Sequence, residues 1–143
     1  MPYEYLPEIA VADIALHATG KTLEELFTQA ADATMNVMVD NLDSIESKER
    51  RAIHLENSAL DMLLFDLLQE LIYHKDTEQL LLRVRQIEIR QQDDTWKLIG
   101  QAHGEKLDPA RHHQRADVKA VTLHHFKVEK TDEGWSAKVI LDI

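Results

Sequence analysis

The fold is decided by the stretch from Leu60 to Ile72, LDMLLFDLLQELI, and by the change of pattern that follows it. In this stretch an aliphatic residue recurs every three or four positions, at Leu60, Leu63, Leu64, Leu67, Leu68, Leu71 and Ile72. The spacing predicts a helix with a broad apolar stripe, and that stripe must face a hydrophobic core. From Gln79 onward apolar and polar residues alternate instead, which is typical of β-strands.

The alternating half of the sequence divides into four predicted strands in two pairs. The strands are predicted over 80–90, 96–104, 118–128 and 135–142. Short turns rich in Asp, Glu and Gly, at 93–94 and 132–134, join the members of each pair as in β-hairpins. A polar loop over 105–116, which contains two histidines, separates the pairs.

The first half of the sequence predicts a strand, a helix and a second strand. Residues 9–16 form an apolar segment with β-branched residues, ended by Gly20. The segment Thr22-Leu23-Glu24-Glu25 has the form of a capping box, and it predicts a helix that runs to about Val39. A short strand is predicted near 51–55, and Ser58 with Asp61 then marks the start of the leucine-rich helix. The whole order predicts an α+β protein, with a mainly antiparallel sheet and two amphipathic helices packed on one face.

Length and composition limit the classes of protein. The 143 residues fit one domain over 1–143, with 44% hydrophobic and 29% charged residues. The absence of cysteine excludes disulfides, thiolate metal sites and a cysteine nucleophile. No apolar run approaches the roughly 18 residues of a membrane helix, and the first residues lack the pattern of a secretory signal. We therefore expect a cytoplasmic protein with no membrane partner.

The net charge of −10 bears on the partners of the protein. Proteins that bind nucleic acid through its phosphates carry basic surfaces, because neutralising phosphate supplies most of the non-specific affinity. We therefore expect no direct binding of nucleic acid. A partner protein or a cation is expected instead.

Acidic groups near both ends of the chain form a candidate metal site. Asp13 lies in an otherwise apolar strand, where a buried and unpartnered carboxylate would cost several kcal/mol. An exposed edge position for Asp13 is an equally good interpretation of the pattern. Asp142 and the free carboxylate of Ile143 lie at the end of the last strand, and with Asp13 they could form an all-oxygen site for calcium, magnesium or manganese. Solvated acids at a strand end are the commoner outcome.

The histidines are weaker candidates. Adjacent residues of a strand face opposite sides, so His124 and His125 cannot share a metal ion without a bulge. Glu105, Asp108 and His112 could form an acid–base cluster, although a charged surface loop is commoner. A small metal-dependent hydrolase using Asp108, His112 and His124 is a third, remote interpretation.

Several blocks of the sequence resemble the archease family. They are GKTLEELF at 20–27, AADATMNVM at 30–38, GEKLD at 104–108 followed by His112, DVKAVTLH at 117–124 and ILDI at 140–143. Because the blocks occur in the order of the family, the resemblance covers almost the whole chain.

The resemblance implies a fold of paired strand–helix–strand–strand modules and a role as a protein cofactor rather than an enzyme. Archeases assist RtcB-type RNA ligases in tRNA splicing and RNA repair, by promoting guanylylation of the ligase and its multiple turnover. The family binds a divalent cation, calcium above all, and by resemblance Asp13, Asp142 and Ile143 would hold it here. Asp117 and Lys119 would contribute to the surface that faces the ligase.

The sequence departs from the family just before Asp13. The family has His-Thr-Ala-Asp where this chain has Ala10-Val11-Ala12-Asp13. The missing polar groups could have oriented the Asp13 carboxylate, so a weaker cation site is expected. The alternative interpretation is a chaperone-like module that modulates other proteins without an obligatory metal.

Overall fold

A computed structural model of the protein describes residues 2–6 and 13–143. The elements in chain order are β1 Tyr3–Tyr5, β2 Ile14–Gly20, α1 Leu23–Met38, a 3-10 turn Leu42–Ser44, β3 Glu49–Asn57, α2 Leu60–Glu78, β4 Leu80–Gln92, β5 Thr95–Lys106, β6 Ala120–Thr131 and β7 Gly134–Asp142. The strand predicted over 9–16 falls partly outside the described residues, and its described part belongs to β2.

The described strands form two antiparallel sheets. The first sheet has the order β1-β2-β7-β6 and the second has the order β3-β5-β4. Both predicted hairpins are present, β4 with β5 and β6 with β7, and each belongs to a different sheet. The predicted α+β class is therefore confirmed, with the antiparallel strands divided between two sheets.

Helix α1 begins at the predicted cap. The Thr22 hydroxyl accepts a hydrogen bond from the Glu25 amide at 3.1 Å, which satisfies one of the free amides of the first turn. The helix contacts β2 and β7 of the first sheet and β4 of the second. Because it packs against both sheets, it is buried on most of its circumference, and its small residues Ala30 and Ala33 are fully buried.

Helix α2 buries the predicted stripe. The buried residues are Leu63, Leu64, Leu67, Leu68, Leu71 and Ile72. The predicted start at Ser58 is wrong, because the residue that caps the helix is Ala59. The Asn57 side chain accepts a hydrogen bond from the Ala59 amide at 3.0 Å. At its other end Gln79 adopts the left-handed conformation, with φ 54°, and the chain turns directly into β4. The helix contacts strands of both sheets, β6 in the first and β3, β4 and β5 in the second.

Strand β5 is the centre of the second sheet, and it needs two glycines. A Cβ at Gly104 would lie 1.6 Å from the Leu81 carbonyl oxygen, so no other residue fits there without moving the backbone. A Cβ at Gly100 would meet Ile87, which lies in a bulge of β4. The close approach at Gly104 fixes the backbone beside Glu105, which pairs with Leu81 in the same sheet.

Strand β1 has no counterpart in the sequence prediction. Its residues Tyr3 to Tyr5 pair with β2. The Tyr3 hydroxyl donates to Asn36 Oδ1 at 3.1 Å, and the Tyr5 hydroxyl donates to the Ala33 carbonyl at 2.9 Å. Burial raises the pKa of Tyr5 to about 12. The alternation of Tyr-Glu-Tyr was the available signal, but three residues are too few to identify a strand.

Candidate functional site

The end of the β2–β7 ladder brings two predicted site residues to neighbouring positions. Ile14 lies opposite Leu141, which is the first pair of the antiparallel register. Asp13 precedes Ile14 and Asp142 follows Leu141, so the next position of the same register would place these two residues opposite each other. Both are half-buried. The two ends of the sequence therefore meet at one end of the first sheet.

The alternation of the strands indicates the face to which the two carboxylates belong. Leu16 and Leu141 are fully buried. Because side chains alternate along a strand, Asp142 of β7 belongs to the other face, together with Ile140. The alternation of β2, continued by one residue beyond Ile14, would place Asp13 on that face as well. Like charges at opposite positions of neighbouring strands repel each other. This sheet end therefore favours a positive group.

Lys119 reaches the same sheet end, and Asp117 does not point toward it. The Lys119 amide donates to the Asp142 carbonyl at 2.8 Å, and the Lys119 side chain is exposed. The Asp117 carboxylate instead pairs with Lys75 of α2, whose ammonium also donates to the Val118 carbonyl at 3.0 Å. Of the two predicted partner-binding residues, only Lys119 lies directly beside the predicted metal ligands.

Lys75 fixes this segment to helix α2. Its side chain is only 12% exposed, and burial would lower the pKa of Lys75. The hydrogen bonds from Lys75 to Asp117 and Asp76 outweigh that effect and raise the pKa. A charged Lys75 therefore holds the chain between β5 and β6 against the end of the helix.

The end of β5 and the loop that follows it contain a buried polar cluster. Glu105 is 3% exposed and His112 is 1% exposed, so the predicted surface loop is wrong for both residues. His112 Nε2 lies 3.0 Å from Glu105 Oε2, and the Glu46 amide donates to that same oxygen at 2.7 Å. The Arg111 guanidinium donates to the other oxygen of Glu105.

The hydrogen bonds of this cluster define the protons on His112. The Asp108 amide donates to His112 Nδ1 at 2.8 Å, so Nδ1 has no hydrogen and Nε2 donates to Glu105. Burial would raise the pKa of Glu105, but the hydrogen bonds from Arg111, the Glu46 amide and His112 lower it to about 2. Both nitrogens of His112 are therefore occupied, and the cluster ties the loop to the body of the protein.

His124 and His125 lie in a bulge of β6. The register with β7 shifts between Thr122 and Lys127, and His125 adopts a positive φ of 55°. This bulge removes the alternation expected for adjacent strand residues, and the two exposed rings lie 4.5 Å apart in an edge-to-face arrangement. A bulge was the one condition under which the sequence allowed the two rings to lie close together, and β6 meets that condition.

No group of three or more His, Cys, Asp or Glu residues is arranged to hold a metal ion within 2–6 and 13–143. The hydrolase interpretation therefore gains no support, since Asp108, His112 and His124 do not form such a group. Among the same residues, no helix has the length and apolar character needed to cross a membrane.

One buried ion pair was not predicted as such. Asp32 of α1 is 9% exposed, and Arg83 of β4 donates to both of its carboxylate oxygens, at 3.2 and 3.0 Å. The pair joins the first helix to the second sheet. The signal in the sequence was an acid in the apolar run Ala30–Met38, but its partner on β4 could not be read from spacing.

Comparisons with known proteins agree on one family. A sequence model described as the Archease protein family matches residues 3–143. The protein archease of Pyrococcus abyssi is 39% identical over 133 residues, which cover 92% of this chain and 93% of that protein. The protein archease of Methanosarcina barkeri is 37% identical over 142 residues, which cover 99% of this chain and 95% of that protein.

Solved structures show the same fold. The solution structure of protein 1598 of Methanobacterium thermoautotrophicum has a TM-score of 0.85 and 34% identity, and the match covers 99% of both chains. The crystal structure of a Thermotoga maritima protein, titled an archease and possible chaperone, has a TM-score of 0.63 and 18% identity. That match covers 94% of this chain and 93% of the other.

Proposed function

Since the chain belongs to the archease family, we propose that it is an accessory protein of an RtcB-type RNA ligase and that it binds a divalent cation, calcium first. The cation ligands in this proposal are Asp13, Asp142 and the terminal carboxylate of Ile143. The observation that supports them is the register of β2 and β7, in which Ile14 lies opposite Leu141, so that the residues next to this pair, Asp13 and Asp142, lie near the same sheet end.

Charge repulsion supports a cation at this sheet end. Two half-buried carboxylates on neighbouring strands destabilise each other unless a positive charge lies between or beside them. Within the part of the chain that the structure describes, neither Asp13 nor Asp142 forms an ion pair with Lys, Arg or His. The residues present fit a cation, because its binding would offset the repulsion between carboxylates that lie at the same sheet end.

The donor chemistry favours calcium, magnesium or manganese over softer metals. Carboxylate oxygens are the ligands of hard cations, and calcium accepts about six to eight oxygens. When bound, the ion would neutralise the acids and fix the end of β7 against β2. Three protein groups would leave positions for water or for a ligand from the partner protein.

Lys119 would present the site to the ligase. Its amide donates a hydrogen bond to the Asp142 carbonyl, and its exposed side chain extends into solvent from the same sheet end. The buried Glu105–His112 cluster and the Lys75–Asp117 pair hold the preceding loop from two sides. The role of these residues is to position Lys119 and the carboxylates as one rigid surface for the partner.

The test combines cation binding with ligase stimulation. Two residues, Gly-Ser, are appended after Ile143 to displace the terminal carboxylate, and Asp13→Asn and Asp142→Asn are made separately. We expect each change to weaken calcium binding by about tenfold or more, measured by calorimetry. We also expect a matching loss in the guanylylation of a purified RtcB-type ligase.

The matched control is Asp94→Asn, which removes the same charge from the exposed β4–β5 turn. This variant should bind calcium and stimulate the ligase like the unchanged protein. A calcium affinity that stays the same after the Gly-Ser extension, together with unchanged stimulation of the ligase, would contradict the proposed site.

A chaperone-like role is the second candidate. It is suggested by the words "possible chaperone" for the Thermotoga maritima protein and by three exposed large apolar side chains among the described residues, Tyr73, Ile99 and Leu123. Suppression of aggregation of several unrelated denatured proteins, without any effect on the ligase, would favour this role.

A further inference from the structure

The outer face of the second sheet has the opposite charge to the rest of the chain. Alternation along β3, β4 and β5 places twelve residues on the more exposed face of this sheet, from which Arg83 reaches Asp32 of α1 at the β4 edge. We call these residues the basic face: Arg50, Ala52, His54, Glu56, Arg83, Arg85, Glu88, Arg90, Lys97, Ile99, Gln101 and His103. It has five Arg or Lys residues and two Glu residues, in a chain whose net charge is −10.

Three of the five cations on the basic face have no acidic partner among the residues described. Arg83 is neutralised by Asp32, and Arg90 pairs with Glu88 of its own strand. The other three are Arg50, Arg85 and Lys97. Arg50 and Arg85 are exposed, and guanidinium groups bind carboxylates through two parallel hydrogen bonds.

An apolar side chain lies at the centre of the basic face. Ile99 is 57% exposed on the central strand, with His54 opposite it on β3 and Glu88 opposite it on β4. Lys97 and Gln101 are the next residues of β5 on the same face. An exposed apolar side chain with charged and polar residues around it is the usual anatomy of a protein-binding surface.

We propose that the basic face binds an acidic segment of a partner protein, with an apolar side chain of that segment seated on Ile99. This inference goes beyond the proposed function, because it concerns the sheet that does not contain Asp13 and Asp142.

The charge of the face favours an acidic segment over a second copy of the chain. A symmetric dimer brings the same surface of two copies together. A dimer through the basic face would therefore place Arg50, Arg85 and Lys97 against their own copies, and like charges repel. An acidic segment meets no such repulsion from these residues.

The composition favours protein over RNA. Sheet faces that bind single-stranded nucleic acid stack its bases on aromatic side chains. The twelve positions of the basic face include no Phe, Tyr or Trp.

The test uses the full chain labelled with ¹⁵N and the peptide acetyl-Glu-Glu-Leu-Glu-Glu-Leu-Glu-Glu-amide. We expect the peptide to shift the amide signals of β3, β4 and β5. The double substitution Arg85→Glu with Lys97→Glu should weaken binding by about tenfold or more, and Ile99→Ala by about threefold or more. The control Lys21→Glu reverses an exposed charge near α1 and should stay within about twofold of the unchanged protein.

Four results would overturn the proposal. They are shifts confined to residues outside β3, β4 and β5, an equal loss of affinity in Lys21→Glu, equal binding of a peptide with Lys in place of Glu, and tighter binding of a short oligouridylate to the same amides. Dispersed amide spectra of each variant verify that it is folded. None of these variants alters Asp13 or Asp142, so the result is independent of the calcium and ligase assays.

Discussion

Replacement of Glu105 by Gln tests whether the buried cluster holds the loop between β5 and β6. Glu105 accepts hydrogen bonds from Arg111, from the Glu46 amide and from His112, and all three groups are donors. The amide of Gln keeps one accepting oxygen and places an NH₂ group where the second oxygen was. That NH₂ group would face groups that also donate, so the hydrogen bonds to its position are lost. The hydrogen bonds to the remaining oxygen are kept, but their acceptor no longer carries a charge.

The expected loss of unfolding free energy is about 2 to 3 kcal/mol. Removing the charge weakens each retained bond by about 1 kcal/mol, and a broken bond to a partly exposed Arg costs a further 1 or so. The lowering of the Glu105 pKa from 4.5 to about 2 arises from the same hydrogen bonds and corresponds to about 3 kcal/mol. Solvent around Arg111, which is 39% exposed, weakens the contribution of that residue, so about 3 kcal/mol is the upper end of the expected range.

The assay is urea denaturation followed by circular dichroism, at pH 7 and again at pH 3. Because the folded pKa of Glu105 is lowered, its contribution is fully present above the ordinary value near 4.5. The contribution is lost as the pH falls toward 2. The stability gap between the unchanged protein and Glu105→Gln should therefore fall to less than half at pH 3. At pH 7 the variant should melt about 10 °C lower.

A control separates this effect from a simple loss of negative charge. Glu129→Gln removes an exposed carboxylate that pairs with Lys127, and it should cost less than about 0.5 kcal/mol. A gap below about 1 kcal/mol at pH 7 for Glu105→Gln would refute the reasoning. A gap of the same size at pH 3 and pH 7 would refute it as well.

Three other substitutions have outcomes that thermal or chemical denaturation can check. Gly104→Ala should prevent folding or cost more than about 4 kcal/mol, because its Cβ would collide with the Leu81 carbonyl; a melting temperature close to that of the unchanged protein would contradict this. Thr22→Ala should cost about 1 kcal/mol through loss of the α1 cap, and no change in stability would show that the hydrogen bond to Glu25 contributes nothing. Leu67→Ala should cost about 2–5 kcal/mol, since Leu67 is fully buried, and a cost under 1 would mean that the core collapses around it.

Most secondary structure could be predicted because it depends on local periodicity. The stripe from Leu63 to Ile72, the cap at Thr22 and the turn at 93–94 all follow from residues close in sequence. Strand β1 could not be predicted, since its three residues are held by hydrogen bonds to α1, about thirty positions away. The start of α2 was misplaced because the side chain of Asn57, rather than Ser58, accepts the first hydrogen bond.

The candidate site was predicted only as a set of residues. Asp13, Asp142 and Lys119 could be chosen from pattern and from resemblance to archeases. Their placement at one sheet end depends on the pairing of β2, β7 and β6. The buried positions of Glu105 and His112 could not be predicted, because a polar loop looks the same in sequence whether it covers the core or faces water.

The sequence by itself determined the elements, the α+β class and the family, because helix and strand periods and short motifs are local properties of the chain. The tertiary structure decided which strands share a sheet, which acids meet and which face is basic. Those features depend on register across strands far apart in sequence, and a shift of one residue would move every side chain to the other face. The net charge of −10 can be counted from the sequence. Only the folded arrangement shows that the charges are distributed unevenly, with an acidic end on one sheet and a basic face on the other.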